Sequence, residues 1–124
     1  MALEGRYAIR KKIADGGMAE IFLATAQGAE GFERPVILKR ILPTLSADPT
    51  FRRLIVDEAH VAMSLIHGNV VQVLDLGRVG EQYFLVMELV EGWDLATLIS
   101  RSEAASLPMP PALACHVMAE VCRG

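Results

Sequence analysis

Glycine-containing breaks divide the first 42 residues into short extended segments, and their spacing restricts the folds open to the chain. Apolar residues recur at strand spacing from Tyr7 to Ile13, and two further apolar runs occupy residues 21–23 and 36–38. The breaks at residues 15–17 and 28–31 are too short for the crossover connections that parallel strands need. The sequence therefore predicts three strands in an antiparallel meander.

A long helix is predicted to follow the meander. Asp48 and Pro49 are a typical start, since Asp can accept hydrogen bonds from free N–H groups and Pro suits the first helical position. The helix is predicted to run to about Ile66. At 100° per residue, one arc of roughly 120° forms the predicted core-facing stripe: Phe51, Ile55, Ala59, Ala62, Leu65 and Ile66. Glu58 falls inside the same arc.

Two more strands and two more helices complete the predicted elements. The apolar runs at residues 70–76 and 83–88 predict strands joined by a turn containing Gly77 and Gly80. Asp94 is predicted to cap a short helix through Ser100, and a proline-rich connector at 102–110 leads to a final helix from about Pro111. The predicted fold class is α+β, with a five-stranded antiparallel sheet and one long helix packed on it.

Composition excludes several classes of function. The formal charge of -3 gives no attraction to nucleic acid or to an anionic membrane. No apolar run approaches the roughly 20 residues of a membrane span, and the N-terminus lacks the apolar core of a signal peptide. Cys115 and Cys122 are seven residues apart in one predicted helix, too far apart for a disulfide within it, and two thiols without a CxxC spacing do not indicate a zinc site. These features predict a cytoplasmic protein without a metal site in this chain.

Two charged residues in apolar surroundings call for an explanation. Glu58 on a core-facing stripe needs a partner, because burying a lone carboxylate costs several kcal/mol. Lys39 ends the apolar run 36–38, so its ammonium would project from a central strand. Alone, each is more often a surface charge. The glycine turn at residues 14–19 lies between two strands, where its backbone N–H groups could approach a phosphate.

The chain has a glycine turn, then a strand lysine, a helix glutamate and two paired strands. This order of parts resembles the N-terminal lobe of a bacterial-type serine/threonine protein kinase. Residues 13–22 resemble its glycine-rich loop, residues 36–39 its strand motif with the ATP-positioning lysine, and Glu58-Ala59 the helix glutamate. Residues 67–71 resemble its helix-to-strand junction, with Gly68 replacing a proline, and residues 87–92 resemble its hinge.

The resemblance implies a role for each matched residue. Lys39 would hold the α- and β-phosphates of ATP, and Glu58 would fix Lys39. Met87 would be the gatekeeper, the Glu88 carbonyl and Val90 backbone would face adenine, and Asp94 the ribose. The other implied nucleotide contacts are Ile13, Ala14, Asp15, Gly16, Gly17, Met18, Ala19, Ile21 and Ile37. Alanine at 14 and 19 adds a Cβ where the loop should approach phosphate, and Ile37 replaces a smaller residue.

The resemblance also implies where the chain divides and what it lacks. Residues 1–91 would be the kinase N-lobe, and residues 92–124 the start of a helical C-lobe. The family's catalytic loop and its Asp-Phe-Gly motif, which hold Mg²⁺, do not occur in this sequence. The chain is therefore predicted to bind ATP, to be inactive alone, and to act on protein substrates in a full-length parent.

Two alternatives remain open from the sequence. The chain could be a pseudokinase-like binding or regulatory module, which the substitutions at 14, 19 and 37 favour, or part of a small-molecule kinase of related fold. Residues 107–123 are predicted to expose an apolar surface and to support self-association.

Overall fold

The computed structural model describes residues 2–3 and 5–124, and it divides into two compact units. One unit contains the described residues up to Ile66 together with Val71–Leu89, and the other contains His67–Val70 and Val90–Gly124. The predicted domain boundary after residue 91 stays a prediction.

Six strands of the described residues form one antiparallel sheet in the first unit, in the order β1-β2-β3-β4-β6-β5. The strands are β1 (Ala2–Leu3), β2 (Tyr7–Asp15), β3 (Ala19–Gln27), β4 (Glu33–Ile41), β5 (Val73–Val79) and β6 (Gln82–Glu88). The five long strands confirm the predicted sheet, and the two-residue β1 adds an edge strand. A short 3-10 turn, Ala29–Gly31, joins β3 to β4.

The predicted turn between the last two strands is wrong at Gly77. Gly77 lies within β5 opposite Phe84, and only Gly80 lies in the turn, with a positive φ of 58°. A Cβ built on Gly77 would overlap the ring of Phe84, which is 3% exposed. Gly77 is therefore required by packing inside the sheet and not by a turn.

Helix α2 (Pro49–Ser64) follows the short α1 (Pro43–Ser46). Asp48 caps α2 as predicted, and its carboxylate accepts from the Thr50 N–H at 2.8 Å. The helix ends two residues before the predicted Ile66, because Leu65 adopts an extended backbone. Leu65 and Ile66 are exposed, so their predicted place in the core-facing stripe is wrong.

The sheet has a buried cluster on each face. Strand alternation places one cluster on the face away from Lys39: Tyr7, Phe22, Ala24, Val36, Leu38, Phe84 and Val86. On the opposite face, Ala19 and Ile41 pack with Ile55 of α2. Helix α2 therefore covers the face that carries Lys39.

The second unit contains α3 (Leu95–Ala104) and α4 (Pro111–Arg123), each starting as predicted. The segment His67–Val70 is tied to α4, because the Asn69 side-chain amide donates to the Glu120 carbonyl at 2.7 Å and to its carboxylate at 2.9 Å. No helix of the described residues has both the length and the apolar character to cross a bilayer.

Candidate functional site: a lysine and a glycine hairpin on one face of the sheet

The predicted glycine turn is a tight hairpin loop between β2 and β3. The Gly16 N–H donates to the Ala19 carbonyl at 2.8 Å, and the Met18 carbonyl accepts from the Leu42 N–H at 3.0 Å. Neither Gly16 nor Gly17 has a positive φ. A Cβ on Gly16 would press on the Ala19 carbonyl at 3.1 Å, whereas a Cβ on Gly17 would meet no atom within 4 Å. The fold therefore does not itself require a glycine at position 17.

The structure corrects the expectation that the Ala19 side chain lies where a phosphate would approach. Ala19 is 2% exposed and packs against Ile41 and Ile55. Its methyl group belongs to the core beneath the hairpin. Ile13, Ala14 and Asp15 are exposed on the β2 side of the loop, and Met18 is exposed at its tip.

Lys39 occupies the centre of the sheet face that α2 covers. It lies opposite Ile21 of β3 and Leu85 of β6 in the register of the sheet. Residues directly opposite each other in an antiparallel pair share a face, so these three side chains form a row. Ile37 forms a second row on the same face, between Leu23 and Met87. The fold thus brings together four residues that are predicted to contact nucleotide: Ile21, Ile37, Lys39 and Met87.

Lys39 and Glu58 line one cavity of about 160 Å³ between α2 and the sheet. Met18, from the hairpin tip, lines it too, and its other walls are mainly apolar: Ile41, Phe51, Ile55, Ala59, Ala62, Val73 and Leu85. The predicted ion pair is not formed, since no salt bridge joins Lys39 to Glu58 among the described residues. Glu58 is exposed, so it carries none of the burial cost expected from its place in the stripe.

Glu88, at the end of β6, is held by the segment leading into β5. Its N–H donates to the Gln72 carbonyl at 3.0 Å, and its carboxylate accepts from the Gln72 N–H at 2.8 Å. The side chain of Glu88 therefore has a structural task, and the backbone role that the resemblance implies for its carbonyl stays a prediction.

Val90 and Asp94 belong to the second unit. Val90 is exposed. The Asp94 carboxylate caps α3 by accepting from the Thr97 N–H at 2.8 Å and the Thr97 hydroxyl at 2.7 Å. The hydrogen bond from the Thr97 N–H holds the pKa of Asp94 below its ordinary value.

An ion network beside the hairpin was not predicted from the sequence. Glu20 of β3 accepts from Lys12 of β2 at 2.8 Å and from Arg40 of β4 at 2.7 Å. The two cations lower the pKa of Glu20, with the hydrogen bond from Lys12 contributing most. Alternation along these strands offered a signal, because positions 12, 20 and 40 become neighbours once the register is known.

Comparison with known proteins gives consistent matches along the chain. The family model described as protein tyrosine and serine/threonine kinase matches residues 7–124. Tyrosine-protein kinase MasK of Myxococcus xanthus is 40% identical over 120 residues, covering 97% of this chain and 19% of its own length. Serine/threonine-protein kinase PrkC of Bacillus subtilis is 35% identical over 119 residues, covering 96% of this chain and 17% of its own length.

A solved structure shares the fold. The kinase domain of PknI from Mycobacterium tuberculosis matches with a TM-score of 0.71 and 26% identity, over 93% of this chain and 44% of that chain. The chain thus spans about a fifth of the curated relatives and less than half of the solved domain.

Proposed function

The chain belongs to the protein tyrosine and serine/threonine kinase family, and on that premise we propose that it binds ATP as part of a protein kinase. In the full-length protein, the γ-phosphoryl group of ATP would pass to protein hydroxyl groups. The observation that carries this proposal is the placement of Lys39, which shares a cavity with Glu58 and with Met18 of the glycine hairpin. An ammonium held on a central strand beside a glycine hairpin that a ligand can approach closely is suited to bind phosphate groups.

The residues present fit a nucleotide in two respects. Gly17 has an ordinary φ and open space around it, so its missing side chain leaves room for a ligand to reach the backbone. The half-buried Ile21, Ile37 and Met87 provide an apolar surface next to Lys39 on the same sheet face. The burial of the Ala19 methyl group removes one objection to phosphate binding. Val90 and Asp94 keep the adenine and ribose roles that the resemblance implies, as part of the proposal.

Magnesium is not assigned to residues of this chain. Within the part of the chain that the structure describes, no three His, Cys, Asp or Glu side chains gather as ligands for a metal ion. The family's metal-binding motifs are missing from the sequence as well. We therefore propose that the chain alone binds nucleotide without transferring phosphate. Phosphorylation by the purified 124-residue chain that disappears in Lys39→Ala would contradict this.

The proposed acceptors in the full-length protein are serine and threonine, and the proposed location is the cytoplasm, where ATP is available. The relative PrkC is named a serine/threonine kinase, whereas MasK is named a tyrosine kinase. Phosphoamino-acid analysis of a substrate treated with a full-length protein carrying this chain distinguishes the two. Phosphoserine and phosphothreonine are expected, and phosphotyrosine alone would contradict the proposed specificity.

Calorimetric titration of the chain with ATP tests the central proposal. Saturable binding is expected, and Lys39→Ala should weaken it at least tenfold, since a charge-assisted hydrogen bond contributes about 1.5–3 kcal/mol. Lys11→Ala is the matched control, because Lys11 is an exposed lysine of β2, and its affinity should stay within about twofold. Absence of binding at millimolar ATP would instead support the alternative, a pseudokinase-like regulatory module.

Self-association is proposed for the second unit. Leu107, Leu113, Met118 and Val121 are all exposed, and apolar patches of this kind often mark protein contacts. Light scattering of the chain at increasing concentration should show dimers that Met118→Glu abolishes. A single monomeric species at every concentration would contradict the proposal.

A further inference from the structure

Tyr7 connects two strands that are not neighbours in the sheet. It is the first residue of β2, and its hydroxyl donates to the Asp75 carboxylate of β5 at 2.6 Å. Strands β3, β4 and β6 lie between β2 and β5 in the sheet order. The sheet must therefore curl far enough for its two outer long strands to meet at this hydrogen bond. Arg6 adds a second tie to Asp75 at 3.5 Å.

Tyr7 is also the buried anchor of β2. It is 8% exposed, and its ring meets the Phe84 ring edge-on at a centroid distance of 6.2 Å. From Arg10 to Asp15, every residue of β2 is exposed. The strand thus has one end fixed in the core and the other at the glycine hairpin.

The two limbs of the glycine hairpin are held differently. Strand β3 keeps an unbroken register of nine pairs with β4, and the Met18 carbonyl is bonded to Leu42 just beyond that strand. Strand β2 pairs with β3 at seven positions, with register shifts between Ile9 and Lys11 and between Lys12 and Ala14. Bulges of this kind weaken a ladder and bend the strand. The β3 limb is therefore fixed by the continuous ladder to β4. The β2 limb is held by an interrupted ladder, by side-chain contacts such as Lys12 to Glu20 at 2.8 Å, and by its anchor at Tyr7.

We propose that the Tyr7–Asp75 hydrogen bond positions the β2 limb of the glycine hairpin, so that Tyr7 is a positioning residue for the phosphate groups of the nucleotide. This inference rests on the proposed ATP-binding function. The hydrogen bond fixes the start of β2, and the course of β2 then sets where Ile13 and Gly16 lie. Tyr7 itself is at the far end of a nine-residue strand, so it acts through the strand without contact to the ligand.

The test compares ATP with adenosine as probes in calorimetric titrations of the 124-residue chain. Tyr7→Phe removes the hydroxyl and keeps the ring that packs on Phe84. The variant should bind ATP about fivefold more weakly, the equivalent of one ordinary hydrogen bond. Its affinity for adenosine, which has no phosphate, should stay within about twofold. A general loss of structure would instead weaken both ligands together.

The matched control is Tyr83→Phe, which removes the other tyrosine hydroxyl. No hydrogen bond of that hydroxyl occurs in the described residues, and Tyr83 lies in β6. The Tyr83→Phe variant should have the same ratio of ATP affinity to adenosine affinity as the unaltered chain. Hydrogen exchange gives a second measurement that needs no ligand: the amides of residues 13–17 should exchange faster in Tyr7→Phe, while those of β3 paired with β4 should not change.

The titrations distinguish failure of the proposed ATP binding from failure of the proposed role of Tyr7. If the unaltered chain does not bind ATP, the proposed function and this inference both fail. If it binds ATP but Tyr7→Phe leaves the affinity ratio unchanged, or changes it no more than Tyr83→Phe does, only the inference fails. Equal exchange rates for residues 13–17 in both proteins would also overturn it.

Discussion

Gly77→Ala is expected to destabilise the first unit through the ring of Phe84. The added methyl group would overlap that ring, which lies in the buried cluster with Leu38 and Val86. Forcing extra volume into a packed core costs about 1–3 kcal/mol. Alanine also restricts the unfolded chain, which offsets the loss by about 0.4–1 kcal/mol. The net decrease in the free energy of unfolding should be about 1–2 kcal/mol.

Urea unfolding followed by circular dichroism measures this change. Gly17→Ala is the matched control, because a Cβ there meets no atom within 4 Å and φ is not positive. Its stability should equal or slightly exceed that of the unaltered chain. A second comparison uses Phe84→Leu as the background, where the smaller side chain should make the Gly77→Ala cost at least about 0.5 kcal/mol less. A stable Gly77→Ala protein, or an equal cost in both backgrounds, would refute the packing explanation.

Three other changes test separate parts of the structure. Ala62→Leu should fill part of the cavity between α2 and the sheet and raise the free energy of urea unfolding by about 1 kcal/mol; a decrease would show that the cavity cannot accept the side chain. Burial, with help from the Asp75 hydrogen bond, raises the pKa of Tyr7 to about 12. The hydroxyl therefore contributes stability that is complete below pH 10, the ordinary tyrosine value, and is lost as the pH rises toward 12. Stability measured between those limits should fall more steeply for the unaltered chain than for Tyr7→Phe, and parallel curves would contradict the assignment. Asp94→Ala should remove the cap of α3 and cost that helix about 1 kcal/mol in thermal unfolding, whereas Asp94→Asn should keep most of the capping; an equal loss in both would point to charge instead of capping.

Local signals were enough to predict most of the elements. Asp48-Pro49 and Asp94 mark helix starts by side-chain capping, which depends only on residues a few positions away. The antiparallel order of the first three strands followed from the short breaks between them. The family resemblance then identified Lys39 as a predicted contact of ATP, and in the structure Lys39 lies on the sheet face that α2 covers.

Features that depend on distant partners were not predictable in the same way. Gly77 resembles a turn residue in the sequence, and only its pairing with Phe84 explains it. Tyr7 and Asp75 are 68 positions apart, so no local pattern joins them. The helical angle of Glu58 places it on the predicted core-facing stripe. In the structure Glu58 is exposed at the cavity between α2 and the sheet, and it forms no ion pair with Lys39 among the described residues. The sequence predicts that α2 reaches Ile66 because Leu65 and Ile66 are apolar, but both are exposed and lie beyond the end of the helix.

The backbone hydrogen bond between Met18 and Leu42 has a mechanical consequence. Leu42 immediately precedes α1, and α1 leads within a few residues into α2. The tip of the glycine hairpin is thereby tethered to the base of the helix that carries Glu58. This main-chain link acts together with the packing of Ala19 on Ile55, so a displacement of the loop tip is expected to be felt at the start of the helix.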